Sequence, residues 1–235
     1  MELDSLTLNL VASAALVAVV HTALGPDHTL PFVMLARARD WSLRRTLAIT
    51  ALCGLGHVLS SALLGGLGIA LGIASGSLET IEDARGDLAA WAMIAFGGAY
   101  ALWGLRRALR RGRGLELHAH DGRVHVHSHG LARHSHAAAT ERPTTFWALF
   151  AVFVLGPCEP LIPLLFLPAR EGRWGLAATT LLVFSAATIA TMLLVVAGLH
   201  SGLEFLPLGR LDRWAHSLAG GVICLSGAAI LAFGV

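Results

Sequence analysis

Two short stretches carry residue types that bind metals or move protons, and both interrupt apolar runs. The first is Leu24-Gly25-Pro26-Asp27-His28-Thr29-Leu30-Pro31, with His21 seven residues before His28. The second is Leu155-Gly156-Pro157-Cys158-Glu159-Pro160-Leu161-Ile162-Pro163, again Leu-Gly-Pro, two ionisable residues and a further proline. Imidazole, carboxylate and thiolate are ligands of borderline divalent metals. A carboxylate withdrawn from water can also load a proton near neutrality, a role open to Glu159 as metal leaves. Cys53 and His57 stand four apart, on one face of any helix that carries them, with Ser60 and Ser61 one turn further on. Seven more histidines, His118, His120, His125, His127, His129, His134 and His136, crowd residues 114–142 among few large apolar neighbours. That tract cannot bury a core and is expected to be disordered without metal. Histidine-rich segments of this kind capture Zn, Ni, Co or Cu with modest selectivity.

The elements that must position these residues are membrane helices. The 235 residues are 55% hydrophobic and only 14% charged, with mean hydropathy +0.68, whereas soluble domains are about 25% charged. Apolar windows at 6–24, 46–73, 87–105, 145–168, 175–199 and 214–235 predict six transmembrane helices. Proline lacks a backbone donor and glycine tolerates unusual dihedrals. Helix one is therefore expected to break at Gly25, Pro26 and Pro31, and helix four at Gly156, Pro157 and Pro160. Broken backbone at membrane depth survives only where it is packed in protein or lines a cavity. Ionisable groups there cost roughly 2.5–3.5 kcal/mol each on insertion scales and are functional candidates by default. The candidate metal residues are thus His21, Asp27, His28, Cys53, His57, Cys158 and Glu159, with the seven loop histidines as an accessory capture site.

Arginine supplies all seventeen basic residues. It concentrates in the first loop (Arg37, Arg39, Arg44, Arg45) and the third (Arg106 to Arg142), whereas the second, 74–86, carries Glu79, Glu82 and Asp83 against Arg85. Basic loops stay cytoplasmic, so both termini are expected outside a bacterial-type cytoplasmic membrane. Trp41, Trp103, Trp147, Trp174 and Trp214 fall at span ends, where interfacial anchors belong. Met1-Glu2-Leu3-Asp4 lacks the basic start of a signal peptide, so the first segment is expected to remain as a span. The three cysteines form no CxxC pair and do not read as a disulfide framework.

The halves align at an offset of 131–133: Leu24-Gly25-Pro26 with Leu155-Gly156-Pro157, Pro31 with Pro163, and 37–41 with 170–174. With three helices each, the copies must insert with opposite topology, which places a substrate site between them near the bilayer midplane. The expected organisation is all-α: residues 1–105 as the first three-helix repeat, 106–143 as the cytosolic His-rich loop and 144–235 as the second, inverted repeat.

His21 with Pro26-Asp27-His28, Gly56-His57, a long His-rich loop after helix three and Gly156-Pro157-Cys158 resemble the nickel/cobalt exporter (NicO-type) family of the LysE-like superfamily. The chain is also similar to nickel/cobalt uptake permeases, whose motif has four residues between His and Asp-His where this chain has five. The resemblance implies efflux of Ni or Co driven by an ion gradient, with protons as a candidate coupling ion and His21, Asp27, His28 and His57 as transport residues. Zn is a further candidate cargo. No permanently bound cofactor, nucleic-acid partner or enzymatic activity is expected, and a homo-oligomer is compatible with the pattern. Two alternatives stand beside this reading. One is a LysE-like exporter of a small solute or anion, although no arginine falls within a predicted span. The other is a CcdA/DsbD-type thiol-redox conduit, whose first-half cysteine is replaced here by Asp27.

Overall fold

The computed structural model describes residues 5–73, 75–111, 117–120, 123–126, 144–156, 158, 160–204 and 214–233. These residues form α1 (Ser5–Leu24), α2 (Pro26–Ala38), α3 (Leu43–Ala70), α4 (Ser75–Arg111), β1 (Leu117–His120), β2 (Arg123–Val126), α5 (Thr144–Leu155), α6 (Leu161–Arg170), α7 (Trp174–Glu204) and α8 (Ala215–Phe233). Five helices, α1, α3, α4, α7 and α8, are long and apolar enough to cross a membrane. On α3, Leu52, Leu55, Leu59, Leu63 and Leu67 form an exposed stripe at helical spacing. A soluble domain rarely shows such a surface, which suits hydrocarbon.

Both expected breaks are present. α1 closes with the Gly25 N–H donating to the His21 carbonyl at 2.9 Å, and α2 opens with His28 N–H donating to Gly25 O at 3.2 Å. Pro26 takes the first turn of α2, where a missing N–H costs nothing. In the second half, Gly156 N–H donates to Val152 O and Leu161 N–H to Cys158 O, both at 2.9 Å. The window predicted as one fourth span therefore forms two short helices, α5 of 12 residues and α6 of 10. Pro157 and Glu159 lie outside the described residues. Pro31 does not end a helix. It lies inside α2, where it forgoes only the bond to the Asp27 carbonyl.

Three other expectations are corrected. Residues 75–86 are not a loop but the first turns of α4, because Leu78, Glu82, Gly86, Ala89 and Ala90 make a buried face while Glu79, Asp83 and Asp87 point outward. Charge lowered the hydropathy of a segment whose Leu, Glu, Ala and Arg are good helix formers. Trp41 is buried, not interfacial: its carbonyl accepts from His200 Nε2 at 3.1 Å. Within the His-rich tract, β1 and β2 pair antiparallel with His118 opposite His125. Leu-His-Ala-His-Asp-Gly-Arg-Val-His-Val alternates around Asp-Gly, the sequence signal of a two-residue hairpin turn.

The long helices pack through small residues. On α4 and α8, a Cβ on Gly97 would stand 2.4 Å from Cys224 N, one on Gly220 2.3 Å from Ala101 N, one on Gly104 2.5 Å from Ser217 N, and one on Gly227 2.6 Å from Ala90 O. As the number rises on α4 it falls on α8, so these two helices run antiparallel with their backbones in contact. Close approach of this kind takes the place of hydrophobic driving force between apolar helices. Gly97→Ala should destabilise the protein by about 1–3 kcal/mol through overpacking. Gly98→Ala, with nothing within 4 Å of its Cβ, should be neutral or stabilise by up to about 1 kcal/mol. Thermal unfolding midpoints in detergent check the contrast, and equal midpoints would contradict the α4–α8 contact.

Candidate metal-ion site

The α1–α2 break brings its ionisable residues together. Gly25 lets the chain fold back so closely that a Cβ there would stand 2.5 Å from His28 Nδ1 and 2.9 Å from Asp27 Oδ1. His28 Nδ1 donates to Asp27 Oδ1 at 2.9 Å. His21, in the last turn of α1, places its ring centroid 5.0 Å from that of His28. From α3, the His57 ring stands 5.1 Å from that of His28. His28 on α2 thus contacts imidazoles from both α1 and α3.

The His57 ring is held from the second break. Residue 157 is proline and has no N–H, so the Phe153 carbonyl lacks its ordinary helical donor. His57 Nδ1 donates to that carbonyl at 3.3 Å. A carbonyl only accepts, so the His57 proton sits on Nδ1 and its Nε2 carries the lone pair. With the Asp27 carboxylate as acceptor, His28 likewise carries a proton on Nδ1. A ring N–H given to a carboxylate or carbonyl is the usual support behind a histidine that ligates metal.

The opposite nitrogens have no protein partner. His21 Nε2, His28 Nε2 and His57 Nε2 are all buried without a hydrogen bond. Leaving a buried polar atom unpaired costs about 1–3 kcal/mol, so three in one place call for a ligand role. The three histidines, with Asp27, line a cavity of about 480 Å³. The rings meet edge to face, at 76° and 90°. Among the described residues, no three His, Cys, Asp or Glu side chains stand as a ready ion-holding group. Ring rotation is needed before the three nitrogens can share an ion.

The remaining sequence candidates lie elsewhere. Cys53 is fully buried in an apolar cluster with Phe32, Phe153 and Met192, and Cys158 in another with Ala18, Leu161 and Phe184. Neither lines the cavity, and both carry thiols rather than disulfides. Glu159, His127, His129, His134 and His136 lie outside the described residues. His118, His120 and His125 belong to the β1–β2 hairpin.

Sequence reading missed Asp83 and Asp87, which line the same cavity from α4. Both are exposed, and they flank Gly86 at the cavity's outer part. Their spacing of four was the available signal, since it puts two carboxylates on one helix face. Treating 74–86 as a loop hid it. Phe153 O was missed as well, although the position of Pro157 marks it.

In protein labelled with 15N histidine and held in lipid nanodiscs, His28 and His57 are expected to carry their protons on Nδ1. Gly25→Ala should shift the His28 signals and leave those of His57 in place. A His57 proton found on Nε2 would overturn its assigned bond to Phe153.

Comparison of the chain with protein-family models, with curated proteins and with solved structures found no match in any of the three.

Proposed function

We propose that the chain is a membrane transporter of divalent transition-metal ions, with His21, His28 and His57 as cargo ligands and Asp27 as their charged partner. One observation carries this reading: three buried imidazoles with unpartnered Nε2 atoms border a single cavity, two of them with Nδ1 tied back to protein acceptors. Neutral imidazole suits Ni, Co and Zn better than it suits Mg or Ca. Asp83 and Asp87 form an acidic mouth that raises the local concentration of cations. Among these metals, Ni or Co and the direction of efflux follow from the resemblance to nickel/cobalt exporters. A cytosolic His-rich loop would concentrate cargo at an exporter's inner face.

The transport mechanism we infer is alternating access between two inverted repeats. Each half runs helix, break, short helix, left-handed turn and two long helices, with an opening helix of 20 residues in α1 and 12 in α5. The turns correspond at an offset of 132. Asp40 has φ 52° and Gly172 φ 72°; Trp41 N–H donates to Ala36 O and Arg173 N–H to Pro168 O, both at 2.9 Å. These are the positive-φ helix ends of the Schellman type. The contacts of α1 with α7, α2 with α8 and α2 with α7 have counterparts in α5 with α3, α6 with α4 and α6 with α3. Equivalent helices α4 and α8 run antiparallel, as inversion demands. In this reading α5 and α6 together make the sixth crossing, and the termini lie outside.

An anion exporter would need an uncompensated cation in its path. Arg85 does lie within α4, but Glu82 pairs with it. A thiol-redox conduit would need Cys53 and Cys158 to meet, and they sit in separate apolar clusters.

The test is transport of Ni, Co and Zn in sealed vesicles. Wild type should move metal, and His28→Ala/His57→Ala should lose roughly 10- to 100-fold or more in apparent affinity. Asp83→Asn/Asp87→Asn should raise KM by up to about 10-fold at low salt, with the difference shrinking as ionic strength rises. Deleting residues 116–138 should weaken transport without abolishing it. Wild-type vesicles that move none of the three metals would end the metal reading.

A further inference from the structure

The second break is held by a buried polar chain that the ion site does not use. In a continuous helix the Cys158 N–H would donate to the Val154 carbonyl. Here the two halves of that bond go to different side chains. Cys158 N–H donates to Ser61 Oγ at 3.0 Å, and Val154 O accepts from Arg85 Nη2 at 3.0 Å. Glu82 joins the two: it accepts from Ser61 Oγ at 3.4 Å through Oε2 and from Arg85 Nη1 through Oε1. Arg85 Nη2 also donates to Ser60 Oγ at 3.0 Å, and Ser60 Oγ donates to the His57 carbonyl at 2.9 Å.

A carboxylate and a guanidinium in an apolar helix are expensive unless paired and fully hydrogen-bonded. Glu82 is 1% exposed, and it links the Ser61 and Arg85 side chains that replace one lost helical hydrogen bond. Val154 immediately follows Phe153, whose carbonyl fixes the His57 ring. The guanidinium that holds the Val154 carbonyl therefore also sets where the Phe153 carbonyl stands.

We propose that Glu82 and Arg85 are positioning residues for His57: their ion pair clamps the open end of α5 so that the Phe153 carbonyl holds the His57 ring through Nδ1. The transport consequence rests on the proposed function, whereas the orientation of His57 does not. Removing only one charge would leave the other buried and unpaired. Glu82→Gln/Arg85→Met removes both, so the fold is retained and the clamp is lost; Arg85→Lys keeps the charge but loses the two-pronged donor.

The experiment records the 15N imidazole spectrum of His57 in nanodiscs without metal, for wild type, Glu82→Gln/Arg85→Met and Arg85→Lys, with helicity checked by circular dichroism. The expected result is a His57 that leaves the Nδ1–H form in the folded double variant and is partly restored in Arg85→Lys. His21 signals, which the clamp does not reach, should change less. Cobalt affinity, measured by titration of the same samples, should fall about 10- to 100-fold in the double variant. A folded double variant with an unchanged His57 spectrum overturns the proposal. Failure of the metal reading is separately visible, because wild type would then bind no cobalt while its His57 spectrum still responded to the clamp.

Discussion

An apolar solvent gives a backbone N–H or C=O no partner, so each must be satisfied within the protein, and this constraint organises the whole chain. Prolines at 26 and 157 remove donors at the two places where apolar helices would otherwise run on. Each removal leaves a carbonyl, and with it an obligation that only a side chain or a change of direction can meet. At the first break the chain turns at Gly25 and restarts as α2, which carries Asp27 and His28 on its opening turn. At the second, the Phe153 carbonyl finds His57 and the Val154 carbonyl finds Arg85. The polar residues of both breaks thereby converge on neighbouring parts of one interior.

Those polar groups need a rigid frame, and glycine supplies it. The antiparallel contact of α4 and α8 brings backbone to backbone at Gly97, Gly104, Gly220 and Gly227. Many short-range contacts of this kind, each small, add up where no water is displaced between helices. On α4, the same helix that makes this contact carries Glu82 and Arg85 toward the second break and Asp83 and Asp87 toward the cavity. The frame and the site therefore share one element. A tilt of α4 would move Asp83 and Asp87, the Glu82–Arg85 pair and the α8 contact together.

The chemistry of the cavity follows from which nitrogen each ring presents. Asp27 and the Phe153 carbonyl accept from Nδ1 of His28 and His57, and the opposite Nε2 atoms are buried with no protein partner. The rings of His21 and His57 each meet that of His28 edge to face.

The sequence by itself determined the composition that calls for membrane helices, the two Gly-Pro breaks and the identity of the three histidines that meet. Each of these is a local property: hydropathy over some twenty residues, a missing donor, or a spacing on one helix. Only the tertiary structure decided that Asp83 and Asp87 border the cavity, that Cys53 and Cys158 turn into separate apolar clusters, and that Trp41 is core. It alone showed Glu82 and Arg85 spanning to a helix break some seventy residues later. Helical periodicity says which residues share a face, but which face meets which neighbour depends on how glycine-lined helices approach one another. That approach is set by shape across distant segments, and no single stretch of the chain contains it.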